Sequence, residues 1–297
     1  RDARGHFLLA LSVARIGQAD RGRAKLVHVL LELQGMQECA MGPVKAGNGG
    51  VKRDPLTGVA DAPAPPARPS ATLVLVRDGA AEMEVLLLRR GRQLKAFAGA
   101  WVFPGGAADP ADGPTDEWEA IPTAARHTAV RELREETGLA IQAEALVPLS
   151  RWTAPVIMPR RFDTWFFLAA APADRVQVDR SEIHDHRWLS PQAALEDHHA
   201  GRIALFPPTW VTLHHLTRFR RCKAALAAAG AQTPFHYAPR VVKQGPDSCF
   251  LYGGDQAYAT LRIDQAGPRH RLWVRRDGWQ YEHFAGDGRF PKTPSAA

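Results

Sequence analysis

Cysteine is scarce in this chain. Cys39, Cys222 and Cys249 lie far apart, and no two of them have metal-ligand spacing. An odd count also argues against a disulfide framework, so a reducing compartment and a cytoplasmic location are expected. There is no uninterrupted apolar run of about eighteen residues, which excludes a membrane-spanning helix from the reading. The histidine pairs His198-His199 and His214-His215 lack a third ligand at usable spacing, so no zinc site is expected. The first forty residues carry several arginines but no apolar core with a small-residue cleavage site. The final Ser295-Ala296-Ala297 does not match a peroxisomal address.

Core-building residues are plentiful. Of 297 residues, 45% are hydrophobic, with eight Trp and twelve Phe, enough for one sizeable domain with additions. The 23 prolines and 25 glycines point to long loops. A formal charge of +7 favours polyanionic ligands, among which nucleotides fit as well as nucleic acid.

Composition divides the chain into three parts. Residues 1–68 are expected to be a leader ending in a proline-rich linker, 69–230 the core domain, and 231–297 a β-rich extension. In the core, Ala71 to Val76 and Glu84 to Arg90 read as strands joined by Asp78-Gly79. A short strand, Trp101 to Phe103, runs into Pro104-Gly105-Gly106, a bend that can approach a ligand closely because neither glycine carries a Cβ. Further strands are expected at Ile141 to Leu149, Phe162 to Ala170 and Glu182 to Leu189. A helix starts at Pro191, and a long helical pattern runs from Trp210 to Ala228. The tail reads as about five strands, including Tyr258 to Asp264 and a hairpin around Asp277-Gly278. A lid, a contact in a homodimer and a small packed subdomain are all open roles for it.

The chemistry centres on a helix from Pro122 or Thr123 to Thr137. Glu132, Glu135 and Glu136 stand at i, i+3 and i+4, so their carboxylates share one face. Such a cluster is unfavourable unless a cation sits among its members, and oxygen-only ligands point to Mg²⁺, with Mn²⁺ as the alternative. Arg89 and Arg90 close the second strand. They read either as a solvated basic edge or as guanidinium forks for a substrate phosphate.

The sequence Arg131-Glu132-Leu133-Arg134-Glu135-Glu136-Thr137-Gly138-Leu139, preceded by Phe103-Pro104-Gly105-Gly106, resembles the signature of the Nudix hydrolases. That resemblance implies an α+β fold, an α/β/α sandwich with a mixed sheet between helices. It also implies metal-dependent hydrolysis of a nucleoside diphosphate linked to another group. Glu132, Glu135 and Glu136 become the metal ligands, with Glu136 or Glu135 the candidate base. Arg131 becomes the partner that orients a motif glutamate, and Glu182 a candidate further base or ligand. Arg89, Arg90, Gly105 and Gly106 would face the substrate.

One departure is plain. Gly106 and Arg131 are twenty-five positions apart, about eleven more than the usual pattern. The family's glutamate eight residues before the Arg is Thr123 here, and Glu117 or Glu119 in the insert are the candidates to replace it. The insert, the Phe206-Pro207-Pro208-Thr209 run and the early strands resemble the branch related to coenzyme A diphosphatases. The stricter coenzyme A strand-end signature is absent, since the chain reads Leu87-Leu88-Arg89-Arg90-Gly91. Coenzyme A is therefore a lead beside nucleoside diphosphate sugars, dinucleotides and MutT-like hydrolysis of nucleoside triphosphates. A non-catalytic nucleotide sensor stands as the non-enzyme alternative, and a nucleic-acid role is disfavoured.

Overall fold

The computed structural model describes residues 65–91, 98–158, 160–178 and 181–283. The expectations for residues 1–64 lie outside the described residues.

A mixed eight-stranded sheet forms the centre. Strand β1 (Arg68–Asp78) runs parallel to β6 (Phe162–Ala170) and antiparallel to β2 (Met83–Arg90). Beyond β6 lies β5 (Val147–Thr153), and β7 (Ile183–Leu189) flanks β2 on its far side. Strands β1 and β2 pair only near their turn and then separate. Two short segments fill the gap, β3 (Trp101–Val102) bonded to β2 and β4 (Gly105–Ala107) bonded to β1. The Pro104 carbonyl between them accepts from the Leu73 N–H at 2.9 Å, which fixes the glycine bend inside the sheet.

Strand β1 is apolar at nearly every central position because both faces are covered. Ala71, Leu73 and Leu75 pack with Ala125, Ala129 and Leu133 of helix α1 (Thr123–Thr137). Val74 and Val76 face a second cluster, which holds Leu213 and Leu216 of α3 (Pro207–Leu216) and Ala225 of α4 (Cys222–Gly230). Helix α2 (Pro191–His199) completes that layer, capped by Ser190, whose hydroxyl accepts from Ala193 N–H. Leu133 is fully buried, and truncating it to Ala would cost about 2–5 kcal/mol.

The expected α+β architecture holds, with a separate four-stranded antiparallel sheet at the C-terminus. That sheet is built from β9 (Arg240–Gln244), β10 (Asp247–Leu251), β11 (His270–Arg275) and β12 (Gly278–His283). Its inner face shares the second cluster through Phe250, Tyr252, Leu272 and Val274. The first strand past residue 230, β8 (Phe235–Tyr237), joins the large sheet in parallel with β5, and Tyr237 stacks on Trp152 at 3.9 Å.

Three elements differ from the sequence reading. Residues 141–146 form no strand, because Ala143–Ala145 is a 3-10 turn, with Arg126 donating to the Ala143 and Leu146 carbonyls, and the strand begins at Val147. The long helical pattern after Trp210 is two helices. Long-range bonds pull the chain out of line between them, from Met83 N–H to Arg220 O and from Cys222 N–H to Asp78 Oδ1, both at 2.9 Å. Residues 258–264 are turns, gathered around a buried Asp255–Arg271 pair.

Candidate active site

Helix α1 brings its last two turns beside the glycine bend. The Gly105 N–H donates to Glu136 Oε2 at 3.0 Å. Gly105 has φ +157°, and a Cβ there would overlap the Ala71 carbonyl and the Thr72 side chain. A Cβ on Gly106 would overlap the Glu132 carboxylate. Gly105 is therefore required by its close approach to β1, and Gly106 leaves the room that the Glu132 carboxylate occupies.

Glu132 and Glu136 sit one turn apart on the face turned to this bend, and Glu136 is only 6% exposed. Burial pushes the Glu136 carboxyl up to about 8, helped by the charges of Glu132 and Glu182 and opposed by the Gly105 N–H and Arg90. Glu132 is also raised, by burial first and by Glu135 and Glu182, while Arg131 opposes the rise. Glu182 enters from the start of β7, where its carboxylate stands 3.7 Å from Arg90. The Arg90 Nε is buried with no hydrogen-bond partner. Arg89 points elsewhere, pairing with Asp185 at 3.7 Å and lying over the Trp101 ring.

Glu135 does not join this pair. Its carboxylate is exposed and accepts from Arg131 Nη1 at 3.0 Å. Among the described residues no group of three or more acidic, His or Cys side chains is arranged to hold a metal ion. The two carboxylates that do converge still fit a hard divalent cation. Burial, more than any other cause, makes both hold protons more tightly than usual, and Mg²⁺ commonly takes one or two carboxylates and completes its shell with water and phosphate oxygens.

The insert supplies what spacing did not place. Asp112 is buried and takes two parallel bonds from Arg131, Nε to Oδ1 and Nη2 to Oδ2, both at 2.9 Å. Burial alone would raise Asp112, but the bonds from Arg131, the Asp109 N–H and Thr128 outweigh it and hold the carboxyl below its ordinary range. Glu119 pairs instead with Arg151 at 3.2 Å, and its side chain is largely exposed. Trp118 anchors the far end of the insert, its indole N–H donating to Asp163 O at 2.9 Å. A sequence signal for Asp112 existed. Asp109-Pro110-Ala111-Asp112 has the form of a capping box with Pro at the first helical position, and both reciprocal bonds are present.

Residues 67–207 match the NUDIX domain family. This stretch of the chain has the Nudix fold. The Nudix hydrolase structure from Alicyclobacillus acidocaldarius is similar at 25% identity and a TM-score of 0.50, covering 55% of this chain and 96% of that one. "Putative nudix hydrolase 7" of Caenorhabditis elegans is 28% identical over 176 residues, 47% of this chain and 56% of that protein. "Acyl-coenzyme A diphosphatase NUDT19" of Xenopus laevis is 39% identical over 82 residues, 25% of this chain and 21% of that protein. The chain thus spans about half or less of the curated relatives it matches. Nudix proteins generally use a divalent metal ion, which agrees with the donor set at Glu132 and Glu136. Among the described residues no helix is long and apolar enough to cross a membrane.

Proposed function

We propose that this protein hydrolyses the pyrophosphate bond of a nucleoside diphosphate linked to a second group, with coenzyme A or an acyl derivative as the leading substrate. The observation that carries the reading is Glu136, a buried carboxylate pushed up to about 8 and fixed by the Gly105 N–H beside Glu132 and Glu182. The partial likeness to an acyl-coenzyme A diphosphatase supports the substrate class.

In this reading Glu132 and Glu136 hold Mg²⁺ or Mn²⁺, and Glu135 is available to join them by leaving Arg131. A bound ion supplies charge neutralisation at phosphate oxygens and a more acidic water. The chain's own residues do the rest. The Gly105 N–H orients Glu136, the first candidate base. Glu182 is the second candidate base. Arg90, whose Nε is buried with no hydrogen-bond partner, is the proposed contact for a substrate phosphate, where a planar fork binds two oxygens. Arg89 lies over Trp101 and pairs with Asp185 instead of facing the carboxylate pair.

The deciding experiment is a hydrolysis panel of coenzyme A, acyl-coenzyme A, ADP-ribose, NADH, a diadenosine polyphosphate and nucleoside triphosphates, with Mg²⁺ or Mn²⁺. Turnover of the coenzyme A compounds with release of a nucleoside phosphate is expected. Metal binding without turnover of any compound would instead support a nucleotide sensor.

A further inference from the structure

The insert between β4 and α1 touches the carboxylate helix at one point that matters for the site. Arg131 directs every N–H group of its fork to a named acceptor. Nε and Nη2 bond to the two oxygens of Asp112, and Nη2 also reaches Ala107 O at 3.0 Å. Nη1 is left facing the glutamates, 2.9 Å from Glu132 Oε1 and 3.0 Å from Glu135 Oε2. A two-point bond to a planar group fixes its plane, so Asp112 decides where Nη1 points.

Asp112 is itself rigidly held. Its Oδ2 accepts from Thr128 Oγ1 at 2.8 Å and from the Asp109 N–H at 2.9 Å, and its carbonyl lies 3.0 Å from His127 Nδ1. Charge matters as much as geometry. With Asp112 ionised, the Arg131 cation is shared among Asp112, Glu132 and Glu135. With Asp112 neutral, the same cation is left to Glu132 and Glu135 and competes for the carboxylate that a metal would need.

We propose that Asp112 is a positioning residue, setting the Arg131 fork and through it presenting the Glu132 carboxylate to a divalent cation beside Gly106. This rests on the metal-dependent reading above.

The test is Mn²⁺ binding to chelator-stripped full-length protein, by calorimetry, with thermal unfolding of each variant measured alongside. D112N is expected to weaken Mn²⁺ binding about 10-fold or more, the effect typical of groups that orient a metal ligand. In an E132Q background D112N should add little, because the ligand it positions is already lost. T128V removes one of the bonds that hold Asp112 but none to Arg131, and should lower Tm with a smaller loss of Mn²⁺ affinity than D112N. If D112N fails to fold, R131K carries the test, since it keeps the charge and loses the fork. Wild-type Mn²⁺ affinity in D112N or R131K, with E132Q still impaired, would overturn the proposal and leave the hydrolase reading intact. Wild-type affinity in E132Q would overturn both.

Discussion

Replacing Glu136 by Gln gives a prediction with opposite signs for stability and activity. In the metal-free fold the Glu136 carboxyl is pushed up to about 8 from an ordinary 4.5, mainly by burial. Between those two values the folded state binds more protons than the unfolded one, so stability is full below about pH 4.5 and falls as pH rises toward 8. At about 1.4 kcal/mol per pH unit, the loss reaches on the order of 5 kcal/mol at the alkaline end. Gln cannot ionise, and its carbonyl can still accept from the Gly105 N–H. Chelator-treated E136Q should therefore match wild type near pH 5 and exceed it by roughly 10 °C in Tm near pH 9. Added Mn²⁺ should close that gap by stabilising wild type, with the largest effect at high pH and little effect on E136Q. Hydrolysis should move the other way, with kcat falling about 100-fold or more. Parallel stability–pH profiles for the two chelated proteins between pH 5 and 9 would refute the account of Glu136 as an uncompensated buried acid.

Other outcomes follow from the same geometry. The two glycines should fail differently: G106A displaces Glu132 and weakens Mn²⁺ binding with the fold retained, whereas G105A clashes with β1 and lowers Tm, both readable in one calorimetric series. Burial holds His198 and His270 down to about 4, so the unfolded chain takes up protons first as pH falls below 6.5. Their contribution to stability, up to about 3 kcal/mol each, is then present above pH 6.5 and lost on the way to pH 4, and denaturant titrations across that range should show it. Asp255 is fully buried and accepts from Arg271 Nε at 2.7 Å and Nη2 at 2.6 Å, as well as from two backbone N–H groups. D255N should cost about 3–5 kcal/mol by leaving Arg271 uncompensated, and faster hydrogen exchange in β10 and β11 would report it.

What the sequence alone settled was local. The spacing of Glu132 and Glu136 along one helix, the bend at Gly105-Gly106, the apolar strands β1 and β2 and the Asp277-Gly278 hairpin all follow from backbone periodicity and turn chemistry within a few residues. What it left open depended on distant groups meeting. Arg131 takes Asp112 from the insert, while Glu119 goes to Arg151. Glu182 reaches the cluster only because β7 lies along β2, and Glu135 turns to Arg131 although its helical position equally allows it to join its neighbours. The break between α3 and α4 is made by contacts from Met83 and Asp78, which no local propensity encodes. A helix fixes which side chains share a face, but which of them then meet a cation, a guanidinium or water is decided by what the rest of the fold packs against that face.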